Sequence, residues 1–218
     1  MDAPQRLAEV ADRIARAARL ARRDPAEVTL IAVTKTHGPE AIRPLLIAGH
    51  RDFGENRVQE AQAKWPALKA EFPDLRLHLI GQLQSNKAAD AATLFDTIHS
   101  LDRPSLLTAL ARLPAPPPVF LQVNIGEEAQ KGGCPIAETP ALLAAARAAN
   151  LSVAGLMAVP PDGIEPAPFF ALLAKLARDQ GVAGLSMGMS GDYETAVMLG
   201  ATHVRVGSAL FGARDAAA

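Results

Sequence analysis

The chain holds one cysteine, Cys134, among 218 residues. It can close no internal disulfide and lacks the companions that a structural zinc site requires, which points to a reducing compartment, the cytoplasm. Excess positive charge is missing too. The 22 Lys and Arg face 23 Asp and Glu for a net charge of −1, so no basic surplus is there to gather a nucleic-acid backbone. The first 23 residues have neither a continuous apolar stretch nor a serine, and they carry Asp2, Glu9 and Asp12. Secretory and organellar signals are not expected there, nor a membrane span. The five histidines are scattered, without a His-x-x-x-His pair or a carboxylate at ligand spacing, which argues against a metal centre. No Gly-x-Gly-x-x-Gly follows the first apolar run, where a dinucleotide-binding fold would put it.

What is present is apolar: 49% of residues are hydrophobic and 21% charged, enough to bury a full core. Leu7, Val10, Ala11, Ile14, Ala18 and Ala21 recur at helical spacing, with Arg6, Arg13, Arg16, Arg19 and Arg22 around them. This is an amphipathic N-terminal helix. Without large aromatic anchors on its apolar stripe, its arginine face reads as solvated rather than as a lipid-binding surface. Beyond it, short β-branched runs alternate with alanine-rich helical stretches. Strands are expected over 29–35, 51–56, 75–80, 97–100, 119–124, 151–159, 184–187 and 202–206. Helices are expected over 39–48, 58–71, 87–94, 104–112, 139–149, 166–179 and 193–199. Eight such strands predict an α/β fold, a single (β/α)8 TIM barrel domain over residues 1–218 with the extra N-terminal helix as outer cover. An open, doubly wound sheet is the alternative.

Barrels of this kind carry their active sites at the C-terminal ends of the strands. The polar residues expected there are Lys35, Thr36 and His37; Glu55, Asn56 and Arg57; Gly81, Gln82, Gln84, Ser85 and Asn86; Ser100 and Asp102; Asn124, Glu128 and Lys131; residues 186–190; and residues 205–208. Lys35 closes a buried apolar strand. In a partly desolvated cavity an amine's pKa falls below its usual ~10.4, leaving more free amine to condense with an aldehyde. The alternative is a lysine that snorkels to solvent or pairs with Glu55.

The stretch 186–192 (SMGMSGD) opens a helix, and Arg205-Val-Gly207-Ser208 follows on the last strand. Loops after strands seven and eight form the recurring phosphate site of such barrels, so Ser190, Gly207 and Ser208 read as a phosphate cup. Taken alone, a serine like Ser190 is more often a helix N-cap; two such features at the expected strand ends favour the cup. Arg205 would sit in the barrel mouth. Being always protonated, it can only donate, and a heteroaromatic nitrogen facing it must accept; the alternative is an ion pair with Glu55 or Asp192. His78, a lone imidazole on an apolar strand, reads as packed.

An aldehyde-binding lysine, a phosphate cup and an arginine for a ring nitrogen together describe a site for pyridoxal 5′-phosphate. The segments 32–35 (AVTK), 53–57 (FGENR), 78–87 (HLIGQLQSNK), 99–103 (HSLDR), 122–124 (QVN), 185–190 (LSMGMS) and 204–214 (VRVGSALFGAR) resemble the pyridoxal phosphate homeostasis protein family over nearly the whole chain. The resemblance implies the alanine racemase N-terminal barrel, with Lys35 as the aldimine lysine, Ser190, Gly207 and Ser208 around the phosphate, and Arg205 at the pyridine nitrogen. It also implies that Asn56 and His78 line the cofactor. The chain departs from the family in the loop after strand six, Met157-Ala-Val-Pro-Pro161, where no role is assigned.

The resemblance further implies a cytoplasmic protein that holds and releases pyridoxal phosphate in vitamin B6 homeostasis, with apo-enzymes as candidate recipients and no reaction of its own. A monomer is expected. Arginine in place of a carboxylate at the ring nitrogen agrees, because a protonated pyridine is the electron sink that carbanion chemistry needs. Two alternatives stand beside it. The first is an amino-acid racemase; such enzymes resemble this chain only in the barrel and add a C-terminal β-domain that brings a tyrosine from the partner subunit. The chain's one tyrosine, Tyr193, is expected on an outer helix, packing rather than reaching a substrate. The second is a Schiff-base aldolase using Lys35 on a sugar phosphate without cofactor.

Overall fold

The computed structural model describes residues 1–212; the end of the 204–214 segment, Ala213 and Arg214, lies outside them. Eight parallel strands, β1 (Thr29–Val33), β2 (Asp52–Glu55), β3 (Arg76–Leu79), β4 (Thr97–Leu101), β5 (Val119–Gln122), β6 (Val153–Met157), β7 (Gly184–Ser186) and β8 (His203–Val206), pair in order and close, β8 against β1. The helices among the described residues are α1 (Ala3–Leu20), α2 (Pro39–Ile47), α3 (Val58–Glu71), α4 (Ala88–Ala92), α5 (Pro104–Ala111), α6 (Thr139–Ala148), α7 (Ala167–Asp179), α8 (Tyr193–Met198) and α9 (Ser208–Phe211). Every expected strand and helix forms, most of them a residue or more shorter at an end, as element boundaries read from sequence usually are.

The strands alternate in chemistry. Phe53, Leu77, Leu79, Ile98, Val204 and Val206 join the continuous core between sheet and helices, which also takes Ile42 and Leu45 of α2, Trp65 of α3 and Phe170 of α7. Their neighbours Asp52, His78, His99, His203 and Arg205 turn the other way, into the barrel. The proof lies in contacts that only the interior can make: His99 on β4 meets Ser186 on β7, which is no neighbour of β4 in the sheet. Barrels are more commonly filled by branched aliphatic side chains. Here three imidazoles, His78, His99 and His203, lie with ring centroids 5.2–6.3 Å apart, and Phe120 stacks on His99 at 4.4 Å.

That buried layer makes the fold acid-sensitive. Burial pushes His203 down to about 4 from the ordinary 6.5, and His99 well below its ordinary value. Above pH 6.5 the folded and unfolded chains are equally deprotonated at these rings. As the pH falls from 6.5 towards 4, the unfolded chain takes up protons that the folded one refuses, so stability is lost across that window. At Asp52 burial acts to raise the pKa, but hydrogen bonds from His78 and Arg76 overcome it and hold the carboxyl below its usual range. Its contribution is present above ~3.9 and fades below, adding to the same acid loss. Urea unfolding is expected to show about 2 kcal/mol less stability at pH 5 than at pH 7.5 from His203. His203→Gln should flatten that slope, and a pH-independent wild type contradicts the account.

The N-terminal helix starts on a reciprocal capping box: the Asp2 side chain accepts from the Gln5 N–H at 2.8 Å, and the Gln5 side chain accepts from the Asp2 N–H at 3.0 Å. It buries Val10, Ile14, Ala17 and Ala18 and packs over α8, α9 and α2, covering the side of the barrel where the chain closes. Its arginine face is not simply solvated. Arg6 donates to the Leu210 carbonyl, Arg13 pairs with Glu194, and Arg23 just beyond the helix donates to the Val197 carbonyl at 2.7 Å. No described helix is long and apolar enough to cross a membrane.

Candidate functional site

A cavity of about 350 Å³ opens among the C-terminal strand ends, within the size range of small-molecule sites. Its polar lining is Lys35, Thr36, His37, Asn56, Ser190, Arg205 and Ser208, and its apolar walls come from Val33, Ile80, Met157, Val159 and Met189. Six of the seven residues expected to bind cofactor therefore meet at one place: Lys35, Asn56, Ser190, Arg205, Gly207 and Ser208.

Lys35 is exposed at the mouth, not sunk in a desolvated cavity. β1 ends at Val33, Thr34 is the last buried residue, and Lys35 lies beyond it. It does not pair with Glu55. That carboxylate is fully buried and taken by others: Lys64 at 2.7 Å, the Thr34 hydroxyl at 2.6 Å and the Trp65 indole N–H at 3.0 Å. The Lys64 ammonium also donates to the carbonyls of Thr34 and His37, at 2.9 and 3.0 Å, and to Glu60 at 3.0 Å. It thus grips the backbone on both sides of Lys35. Thr36 has a left-handed backbone, φ 66°, and its N–H is held by Glu60 at 2.7 Å. A non-glycine residue adopts that conformation only where its surroundings impose it. His37 stacks on Phe211, and burial lowers its pKa.

The Ser190 hydroxyl accepts the N–H of Gly207 at 3.1 Å and of Ala209 at 3.4 Å. It joins the β7–α8 loop to the turn after β8 and does not cap α8, whose N-cap residue is Asp192. The loop reaches this point because Gly188 has φ 92° and a Cβ there would sit 2.5 Å from the Ala196 Cβ. Asn56 has a buried Oδ1 with no hydrogen-bond partner among the described residues. Gly81 passes over it: a Cβ at 81 would fall 2.2 Å from the Asn56 carbonyl oxygen.

Arg205 is buried to 4% exposure, and burial lowers its pKa to about 10. It makes neither of the ion pairs expected as alternatives; it donates to the Ser186 hydroxyl at 2.7 Å and to the Ala158 carbonyl at 2.9 Å. Below it, Ser186 meets His99 Nδ1 at 2.8 Å, His99 Nε2 meets His78 Nδ1 at 3.1 Å, and His78 Nε2 meets Asp52 at 3.1 Å.

His78 is the expected cofactor residue that does not line the cavity. It lies deeper in the barrel, one alternate position below Ile80, which does line it. The polar residues after the fourth and fifth strands, and Gln82, also stay out of the lining. Most of them hold the long loop after β5: Gln82 with Gln122, Gln122 with the Gly132 carbonyl, Asp102 with the Gly133 N–H, and Asn124 with the Glu128 carbonyl; Ser100 lies within β4, its buried hydroxyl without a hydrogen-bond partner among the described residues. Met157 and Val159, given no role from sequence, form part of the wall. Their apolar character signalled only a strand, so nothing in the residues alone announced them.

Residues 6–215 match the family model described as alanine racemase, N-terminal domain. The pyridoxal phosphate homeostasis protein of Pseudomonas aeruginosa is 46% identical over 97% of this chain and 95% of its own length. That of Escherichia coli is 41% identical over 98% of this chain and 97% of its own. Among solved structures, PipY of Synechococcus elongatus with PLP bound is 39% identical, with a TM-score of 0.79 over 93% of this chain and all of that one. Alanine racemase of Corynebacterium glutamicum shares the fold, at 20% identity and a TM-score of 0.64, over 92% of this chain and 60% of the racemase.

Proposed function

The chain belongs to the alanine racemase N-terminal domain family and is similar over nearly its whole length to pyridoxal phosphate homeostasis proteins, and from that premise we propose that it binds pyridoxal 5′-phosphate reversibly as an intracellular carrier. The observation that carries this reading is the convergence of Lys35, Asn56, Arg205 and the Ser190–Gly207–Ser208 group on one cavity. The whole chain, residues 1–218, is read as one cofactor-binding domain, acting as a monomer in the cytoplasm, with apo-enzymes as recipients.

The residues fit the group. Asn56 Oδ1 is a buried acceptor in want of a donor, and the hydroxyls of Ser190 and Ser208 supply neutral donors for a phosphate, with Gly207 beside them and its N–H held on the Ser190 oxygen. Arg205 donates towards a ring nitrogen and keeps it unprotonated. The Ser186 and Ala158 oxygens hold the guanidinium in place. When bound, pyridoxal phosphate supplies an aldehyde that condenses with a lysine amine and releases water. Lys35, exposed at the mouth, meets an incoming aldehyde without any part of the chain having to open.

Absorption titration tests the reading directly. Pyridoxal phosphate should generate a visible band, and pyridoxal should bind far more weakly. Hydrogen bonds to charged groups contribute about 1.5–3 kcal/mol each, so Ser190→Ala should weaken pyridoxal phosphate binding roughly ten- to a hundredfold while leaving pyridoxal nearly unchanged. Equal affinity for the two ligands removes the phosphate cup.

A carrier rather than a racemase is the better reading because racemisation needs an acid/base on each face of the substrate carbon. Lys35 supplies one. Tyr193 is 2% exposed, lies under the Arg13 guanidinium at 5.5 Å, and does not line the cavity. His37, which lines the cavity, and the deeper His78 are the imidazoles that could stand in for the second group, so loaded protein incubated with single enantiomers of alanine or serine in deuterated water should show no more than slow exchange of the Cα proton. Turnover near the enzyme median of about 10 per second replaces the carrier with a racemase.

A further inference from the structure

Five polar side chains from five strands run through the barrel as one unbroken series of hydrogen bonds: Arg205, Ser186, His99, His78 and Asp52. All are buried, and the series connects the cavity floor with the opposite end of the barrel, where Arg76 grips both Asp52 oxygens. We propose that Ser186, His99, His78 and Asp52 are positioning residues that lock Arg205 as a fixed donor facing the cavity, through hydrogen bonds that all point one way.

The direction follows from the two ends. A guanidinium can only donate, and an ionised carboxylate can only accept. Asp52 therefore takes the Nε2–H of His78, which leaves His78 Nδ1 as an acceptor for the Nε2–H of His99. His99 Nδ1 then accepts the Ser186 hydroxyl, whose oxygen accepts from Arg205. In this arrangement each imidazole is neutral with its proton on Nε2, and each hydrogen has one acceptor. Reversing the series with neutral rings sets the bare Nε2 of His78 against a carboxylate and leaves the serine hydrogen without a partner in it. Reversing it with a charged His78 adds a buried cation to an interior that already holds Arg205.

The other groups facing this interior do not compete for the same atoms. His203 on β8 turns its Nδ1 to the Thr202 hydroxyl at 2.8 Å, and Phe120 on β5 offers only a ring face to His99. Arg205 itself has two acceptors, the Ser186 hydroxyl and the Ala158 carbonyl. With both engaged, the guanidinium cannot swing away when a ligand enters, and it presents the remaining N–H groups in one orientation. Identifying the ligand atom it faces as the pyridine nitrogen rests on the proposed function. The direction of the series does not.

Two measurements separate these claims. Long-range ¹H–¹⁵N spectra of the ligand-free protein, assigned with single histidine variants, should give His78 and His99 as neutral Nε2–H tautomers at pH 7. A Nδ1–H tautomer or a doubly protonated ring at either position overturns the inference, whatever the protein binds. Next, Ser186→Ala should weaken pyridoxal phosphate binding about tenfold and shift the visible band. The preference for pyridoxal phosphate over pyridoxal should not change, because the phosphate contacts are untouched. Ser186→Thr, which keeps the hydroxyl, should restore most of the affinity. Unchanged binding in Ser186→Ala overturns the positioning role. If Ser186→Ala does not fold, Asp52→Asn provides the second test from the far end: it should disturb the His78 tautomer and weaken binding several-fold, and an unaltered Kd overturns the role equally. Wild-type protein with the expected tautomers but no affinity for pyridoxal phosphate overturns the proposed function instead.

Discussion

Lys35→Ala is expected to abolish the visible band that pyridoxal phosphate gives with the wild-type protein, while the chain unfolds at nearly the same urea concentration. The two halves of this expectation have one cause. Lys35 is exposed and makes no hydrogen bond or ion pair among the described residues, so its removal touches no packing, and a substitution of that kind usually stays within about 0.5 kcal/mol. What it removes is the amine in the cavity lining. The other amines on this face are committed: Lys131 to Glu128 and the Pro160 carbonyl, Lys87 to Asp90, Lys64 to buried Glu55. Borohydride reduction of loaded wild-type protein, followed by peptide mapping, should place the cofactor on Lys35. A full-strength band in the variant, or a reduced adduct on Lys131 or Lys87, rejects the assignment.

The barrel was legible because each strand carries its own signal: a short run with apolar residues facing the helices, closed by a polar residue or glycine, or at the sixth strand by Pro160 and Pro161. Site residues were legible where the fold rule alone locates them, at the ends of strands one, two, seven and eight. Contacts across the barrel were not. Residues 78, 99 and 186 carry no spacing that could announce their meeting, since they lie on β3, β4 and β7 and touch only after the sheet has closed. A lone histidine on an apolar strand therefore read as packing, when it is a link in a series. Lys64 was hidden for the opposite reason. On a helix that also carries Glu60 and Lys69 it looks like solvated surface, yet it is 8% exposed beneath the Lys35 loop. The exposure of Lys35 was misjudged because the strand ends at Val33, two residues short of the expected 29–35.

The largest loss of stability is expected from Lys64→Met. Glu55 is completely buried, and Lys64 is the only cation that pairs with it among the described residues. The Thr34 hydroxyl and Trp65 indole bonds satisfy Glu55 Oε1 but neutralise nothing, and Oε2 has no hydrogen-bond partner. Removing one member of a buried pair strands the other charge away from water, at a cost of about 3–5 kcal/mol. Replacing both members is a different matter, because it leaves no charge to strand; Lys64→Met combined with Glu55→Gln should recover most of the loss. Cofactor affinity should not recover with it. The ammonium also holds the Thr34 and His37 carbonyls on either side of Lys35, and neither methionine nor glutamine at these positions replaces both of those bonds. Stability and affinity should thus separate in the double variant: urea unfolding close to wild type, binding of pyridoxal phosphate still weakened. A single Lys64→Met variant that loses less than about 1 kcal/mol would mean that water reaches Glu55 and that the pair is not a buried one.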